Sequence, residues 1–192
     1  MIYLTSDPHF GHANIIRYVD RPFDSVEEMD KVLIENFNKT VAPDDTLYIL
    51  GDFSMYGSYS KCMSYREQLN CKHIHLILGN HDKRFLHAGK PSPFESERDY
   101  LELTHKYTKI CMSHYPFLSW HGREQGSIMC HGHIHSKKRS NEINQWQQLK
   151  RFDVGVDAND YTPVSIEYVY EFFNKSLSNI YDLELFKNQF KA

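Results

Sequence analysis

The sequence predicts an α/β fold, and three observations carry that reading. Short apolar, β-rich runs recur along the chain, helical or loop segments separate them, and five of the runs end directly on a polar cluster. Strands are expected at 2–5, 46–50, 73–78, 108–112, 127–130, 153–156 and 164–168. Helices are expected at 26–39, where Ser25 and Glu28 form a capping box, and at 60–69. Residues 95–105 and a closing amphipathic stretch at 183–190 are read as further helices. Alternating strands and helices argue for sheet buried against helix. No repeat, low-complexity tract or linker breaks the pattern, so one domain over residues 1–192 is expected.

Composition narrows the class. With 192 residues, 41% hydrophobic and 24% charged, the chain can bury a core without staples and is not of the disordered type. A formal net charge of −3 argues against bulk nucleic-acid binding, so any polyanion must meet a local basic rim. The opening Met1-Ile2-Tyr3-Leu4-Thr5 lacks the basic and apolar regions of a secretory signal, and no apolar run approaches the roughly 18 residues of a membrane helix. A cytoplasmic protein with no membrane partner is the expectation. Cys62, Cys71, Cys111 and Cys130 show no C-x-x-C spacing and are read as reduced, with Cys111 and Cys130 as small hydrophobes at strand ends. Histidine stands out: of 12, five fall among five short clusters built of His, Asp and Asn.

Those clusters follow the strands. The run 2–5 leads into Asp7-Pro8-His9, 46–50 into Gly51-Asp52, and 73–78 into Gly79-Asn80-His81-Asp82. The run 108–112 leads into His114, and 127–130 into Gly132-His133-Ile134-His135. In open α/β sheets ligand sites form outside the carboxyl ends of strands, so five such ends converge on one place. Gly51, Gly79 and Gly132 permit sharp turns and close backbone approach there. Singly the pieces are common: a D-x-H triplet arises by chance, and His133 and His135, read as alternate strand positions facing one side, could be hydrogen-bonded core histidines. Gly-Asn-His-Asp is more distinctive, placing an amide oxygen, an imidazole and a carboxylate on one turn. A mixed His, Asp and Asn set without thiolate suits Mn, Fe, Zn or Ni.

The ordered set D-x-H, G-D, G-N-H-D, a lone His and G-H-x-H, from Asp7 to His135, resembles the calcineurin-like metallophosphoesterases. The opening Asp7-Pro8-His9-Phe10-Gly11-His12 is similar to that of small cap-less bacterial and phage members. Met55 stands where many relatives carry a second Asp, a position that is not a ligand in the family. The resemblance implies two mixed β-sheets packed face to face and flanked by helices. It implies one metal held by Asp7, His9, Asp52 and His135, and another by Asn80, His114, His133 and a shared, bridging Asp52. A bridging carboxylate fits electrostatics, since two dications about 3.5–4 Å apart need an anion between them. The resemblance further implies a metal-activated water as nucleophile, with His81 as general acid and Asp82 orienting its ring.

Two divalent ions are therefore the expected cofactors, manganese being the working ion in vitro, and a phosphorylated small molecule or nucleotide the expected substrate. The absence of a long insertion suggests an open site and favours phosphodiesters. His12, Asn14, Arg17 and Arg84 are candidate substrate contacts, with Arg21 a further candidate phosphate clamp. His12 and Asn14 could equally cap the segment 15–18. Lys137-Lys138-Arg139 is either a basic lip or a solvated turn, while Tyr115, Trp120 and His121 either shape specificity or pack. Asp153 and Asp157 receive no chemistry. Two rivals differ in class. A non-catalytic metal-binding module on the same scaffold should have lost ligands, and none is missing; a dinuclear amide or lactone hydrolase would carry an H-x-H-x-D-H pattern that this chain lacks.

Overall fold

A computed structural model describes residues 1–55, 59–82, 91–137 and 139–174. The expected helix at 183–190 and the candidate Arg84 lie outside them. The chain runs β1 (Ile2–Thr5), α1 (Ala13–Tyr18), α2 (Val26–Thr40), β2 (Thr46–Ile49), α3 (Tyr59–Glu67) and β3 (His73–Ile77). It continues through β4 (Ser96–Arg98), β5 (Tyr100–His105), β6 (Thr108–Ser113), β7 (Ile128–His131), α4 (Ser140–Trp146), β8 (Arg151–Asp153), β9 (Val164–Ser165) and α5 (Ile166–Asn174).

Two mixed sheets result. One has the order β4-β3-β2-β1-β9, parallel except for β9; the other has the order β5-β6-β7-β8, parallel except for β5. The sheets face one another through Leu4, Leu50 and Ile77 on one side and Ile110, Met112, Ile128, Cys130 and Phe152 on the other. The outer face of the first sheet buries Leu47, Ile49, Ile74 and Leu76 against Met29, Leu33 and Phe37 of α2 and Cys62 of α3. The outer face of the second carries Cys111 and Met129 under Trp120 and Leu149. This is the expected pair of face-to-face mixed sheets. All four cysteines are free and buried, as their scatter suggested.

The start of α2 follows from its sequence. Ser25 Oγ accepts the Glu28 N–H at 3.1 Å, while the Glu28 carboxylate reaches back to the Asp24 N–H at 2.8 Å, one residue earlier than a standard box. Five expected strands appear within two residues of their predicted bounds, and 60–69 appears as α3.

Three expectations change. Residues 95–105 form β4 and β5 rather than a helix: Leu101 and Leu103 alternate onto the inter-sheet core, and β5 pairs with β6 across Lys106 and Tyr107. Both turn residues adopt left-handed φ (45° and 67°), the conformation of a tight hairpin, without the Gly or Asn that would announce it. Only residues 164–165 of the expected final strand pair with β1. Ser165 Oγ then accepts the Tyr168 N–H at 3.0 Å and starts α5, whose Ile166 and Val169 pack on the inter-sheet core. Lastly, β8 lies at 151–153, ahead of its expected place, and residues 156–158 make a 3₁₀ turn.

Candidate metal centre

The polar segments beyond the strand ends continue the pairing of the strands. The N–H groups of Asp7, His9 and Phe10 donate to the carbonyls of Gly51, Asp52 and Phe53, each at 3.0 Å. Gly132 N–H donates to the His114 carbonyl at 3.0 Å, and Val156 N–H crosses to the Ser6 carbonyl at 3.0 Å. Polar loops from both sheets are thereby laced into one floor.

The floor is strained where its side chains point inward. Asp7, His9, Asp52, His133 and His135 all take φ between 45° and 72°, left-handed values that non-glycine residues rarely adopt. Each costs on the order of 1–3 kcal/mol, and such strain persists where surrounding structure over-determines it. Glycine is required where the loops touch. A Cβ on Gly51, itself at φ 96°, would lie 2.3 Å from His114 Nδ1, and one on Gly132 would lie 1.9 Å from Ser6 Oγ and 2.2 Å from Asp7 Oδ2.

Seven side chains meet above this floor. Donor atoms of Asp7, His9 and His135 lie within 4.8 Å of one another, as do those of Asp7, Asp52 and His114. Asp52 Oδ2 is central, 3.5 Å from His9 Nε2, 3.5 Å from His114 Nε2 and 3.9 Å from His81 Nε2. Asn80 Oδ1 and His133 Nδ1 approach His114 Nε2 at 3.0 and 3.2 Å. His133 and His135 follow β7 rather than alternating along it, so their rings diverge: His133 turns to His114, and His135 stacks on His9 at 5.1 Å.

Tautomers follow from the partners. His114 Nδ1 lies 2.8 Å from the Leu50 carbonyl, which can only accept, so Nδ1 carries a proton and Nε2 is the atom turned toward Asn80 Oδ1 and Asp52 Oδ2. In the neutral form of the ring, the form that binds a metal, three acceptors then face one another. Likewise Asp7 Oδ1 and His9 Nε2 are buried without a hydrogen-bond partner. Burial pushes the Asp7 carboxyl up to about 6 and lowers the His9 imidazole well below its ordinary value. His133 is lowered too, first by burial and then by His114. A buried acceptor without a donor costs about 1–3 kcal/mol, more when charged. Divalent cations relieve every one of these conflicts, and an N/O donor set without thiolate fits borderline to hard ions. The residues fit a metal centre.

Asp157, which the motifs did not reveal, supports one of the rings. Its Oδ2 lies 2.8 Å from His135 Nδ1, and Arg21 grips both carboxylate oxygens, Nε to Oδ1 at 2.8 Å and Nη2 to Oδ2 at 2.9 Å. Burial opposes ionisation of Asp157, yet the His135 and Arg21 hydrogen bonds hold its carboxyl below the usual range. Arg21 also donates to the carbonyls of Asp7 (2.8 Å) and Pro8 (3.0 Å). Fully engaged and buried, Arg21 is not a phosphate clamp. The other unforeseen carboxylate, Asp153, takes the Gly155 N–H at 2.7 Å and the Ser136 hydroxyl, shaping the same loops.

Asp82 also differs from expectation. Its Oδ2 accepts the N–H groups of Asp52 (2.7 Å) and Gly79 (2.9 Å), and its Oδ1 accepts that of Phe53 (3.0 Å). With both oxygens spent on three amides, it pins two loops together rather than orienting His81. Burial raises its carboxyl to about 7. His81 is fixed through its own N–H, which donates to Asp52 Oδ1 at 3.0 Å, and its ring packs edge-on against His9 at 5.3 Å.

Among the candidate substrate contacts, His12 is buried with its ring 5.3 Å from His9 and 6.4 Å from His81. It occupies the N-cap position of α1 without a side-chain capping bond. Asn14 and Arg17 stand on the exposed face of α1. Tyr115 packs edge-on against His114 and His133, at the lip, whereas Trp120 is buried and donates to the Ser127 carbonyl. His121 lies 3.0 Å from Glu102, and Lys137 donates to the Val19 carbonyl at 2.7 Å.

Comparison with known proteins agrees with this architecture. An uncharacterized protein of Methanocaldococcus jannaschii is 36% identical over 180 residues, covering 91% of this chain and 92% of the relative. A gene 66 protein of a Mycobacterium phage is 29% identical over 181 residues, covering 82% of this chain and 88% of the relative. A crystal structure from Aquifex aeolicus, of a protein of unknown function, superposes with a TM-score of 0.70 at 27% identity, covering 89% of this chain and 98% of that one. The calcineurin-like phosphoesterase family model matches residues 1–185. With that match over a fold of two facing mixed sheets and a converging His/Asp donor set, the chain belongs to the calcineurin-like phosphoesterases, metal-dependent hydrolases of phosphate esters.

Proposed function

We propose that the protein is a dinuclear phosphoesterase, acting by preference on small or terminal phosphodiesters of nucleotides or other phosphorylated metabolites. One ion would be held by Asp7, His9, Asp52 and His135, the other by Asp52, Asn80, His114 and His133. The observation that carries this reading is the position of Asp52 Oδ2, 3.5 Å from the Nε2 atoms of both His9 and His114. Manganese is the ion expected to support activity in vitro, with Fe, Zn and Ni compatible with the same donors.

Bound at such a site, two dications supply Lewis acidity and a water acidic enough to serve as nucleophile near neutral pH. The chain supplies the rest. Asp52 lies between the two donor sets, where an anion reduces the repulsion of paired cations. The buried Asp7 and His9 keep bulk water from the floor. His81, about one-third exposed at the opening, would hold a proton on its ring for the departing ester oxygen. His12, beside both His9 and His81, would line the approach of the phosphate. Asn80 and His133 are exposed, a wide mouth that suits a diester carrying a group on each side.

Asp52→Ala tests the reading. Metal analysis of the manganese-loaded native protein should give about two ions per chain, and the variant should lose both ions or nearly all hydrolysis of chromogenic phosphodiesters. A fully active Asp52→Ala protein, or one tightly held ion in the native chain, would overturn it.

A further inference from the structure

We infer that Arg21 and Asp157 act as a positioning pair for metal binding, holding His135 with its Nε2 turned to the metal and locking it to the loop that carries Asp7 and His9. The inference rests on the proposed role of His135 as a metal ligand. It concerns two residues that no spacing motif joins, 136 positions apart.

The geometry fixes each link. A carboxylate only accepts, and Arg21 already donates to both Asp157 oxygens, so the 2.8 Å contact from His135 Nδ1 is a donated N–H. With Nδ1 committed to Asp157, Nε2 is the nitrogen left to face Asp7 and His9. Arg21 cannot drift, because its side chain is wholly buried and its remaining donors hold the Asp7 and Pro8 carbonyls. One guanidinium thus sets the height of the first ligand loop and, through Asp157, the rotation of His135. Both loops are strained, with Asp7, His9 and His135 at left-handed φ, so they need an external brace to stay in place before any ion arrives. The neighbouring chain of contacts completes the frame: Tyr161 N–H donates to the Val156 carbonyl at 2.9 Å, closing the short turn that presents Asp157.

Carboxylates behind a ligating imidazole typically change metal affinity by about 10–100-fold when removed. The pair should therefore set affinity at one ion position and leave the other, built on Asn80, His114 and His133, nearly untouched.

The experiment is calorimetric titration of the metal-free full chain with Mn²⁺, with thermal unfolding of each metal-free variant in parallel. Asp157→Asn keeps size and an oxygen acceptor but drops the charge. It should weaken one binding event by about 10–100-fold and leave the other in place, and, because it strands the buried Arg21 charge, it should also lower the metal-free melting temperature. Asp157→Glu should recover part of the loss, and Arg21→Lys, which cannot make the fork, should weaken the same event. His135→Ala separates the two layers of the argument. If it leaves both events intact, the ligand reading of His135 fails. If it weakens one event while Asp157→Asn and Arg21→Lys weaken neither, the ligand reading stands and the positioning inference is overturned. Parallel loss of both events with a large fall in metal-free melting temperature, unrelieved by Asp157→Glu, would mark the pair as merely structural and overturns it as well.

Discussion

Asp7 and His9 sit on the closed side of the centre, almost without solvent contact, and their companion His135 leans on a buried carboxylate gripped by a buried guanidinium. Across Asp52 the other side is built differently. His114 is equally buried but takes its orientation from the neutral Leu50 carbonyl, while Asn80 and His133 stand exposed. The loop beyond His114 is tied down at the surface, where Glu102 gathers Lys109, Tyr100 and His121. The two sides therefore differ in what removing a brace would do. Breaking a buried, hydrogen-bonded ion pair strands a charge and is severe, whereas a surface pair is worth about 0–1 kcal/mol. The closed side is a cradle fixed by charge. The open side is backbone-held, and it is the more solvent-exposed of the two.

His81 gives the largest expected effect and tests where the boundary between the sides runs. It stands at the opening, its ring 3.9 Å from Asp52 Oδ2 yet outside both donor sets. His81→Ala should keep both manganese ions while lowering hydrolysis of alkyl or ribose esters by about 10²–10⁴-fold. A p-nitrophenyl ester, whose leaving group needs little protonation, should lose far less. If the variant instead loses an ion, His81 is a ligand and the open side holds its metal with one more donor than Asp52, Asn80, His114 and His133. Equal loss on both esters with both ions retained would place it on the phosphate rather than on the leaving oxygen.

A smaller effect is expected at Asn80, whose amide oxygen belongs only to the open side. Asn80→Ala should weaken one Mn²⁺ binding event by at least the roughly 10–100-fold seen for lesser supports of metal sites, leaving the event at Asp7, His9 and His135 intact. Titrating the double variant with Asp157→Asn sharpens the contrast. Two separate sites predict that the losses fall on different events, and losses on the same event would collapse the distinction between the sides.

What the sequence made legible was whatever is local. Each polar cluster sits directly after an apolar run, so the order of strands and the convergence of Asp7, Asp52, Asn80, His114 and His135 could be read from alternation and punctuation alone. The braces could not, because they are long-range. Arg21 and Asp157 meet only once both sheets are packed, and Asp82 looked like a partner of its neighbour His81 until the loop after β2 supplied two amides for it, beside the Gly79 amide of its own loop. Secondary structure failed for the same reason. Lys106 and Tyr107 are ordinary residues forced into a tight turn by pairing of β5 with β6. The polar α4 showed no apolar period, since it is anchored by Asn141, which exchanges hydrogen bonds with the Asp153 backbone at 2.7 and 2.9 Å. Position 165 is instructive in the other direction. Ser165 was a helix-start signal in plain view, outweighed by the β-branched run around it.

The smallest effect should come from the surface brace, and it carries a pH signature. Lys109, then Tyr100, with His121 adding to them, hold the Glu102 carboxyl down to about 2, against about 4.3 for an unperturbed Glu. A carboxyl lowered by folding contributes stability that is complete above its unfolded value and fades as pH falls toward its folded one. Glu102→Gln should therefore melt below the native protein at pH 6, by at most about 2–4 °C for a chain of this size. The gap should narrow as pH falls from about 4.5 toward 2, because the native protein then protonates the group that the variant never had. Measuring both metal-free proteins cancels titration of the histidines and carboxylates of the centre from the difference. Manganese affinity at neutral pH should stay within roughly twofold of native, since the network lies on the exposed sheet face and steadies only the loop beyond His114. A gap that widens on acidification would mean Glu102 is not held ionised by its neighbours. A loss of metal affinity as large as that expected of Asp157→Asn would show that surface charge braces the open side as firmly as the buried pair braces the closed one.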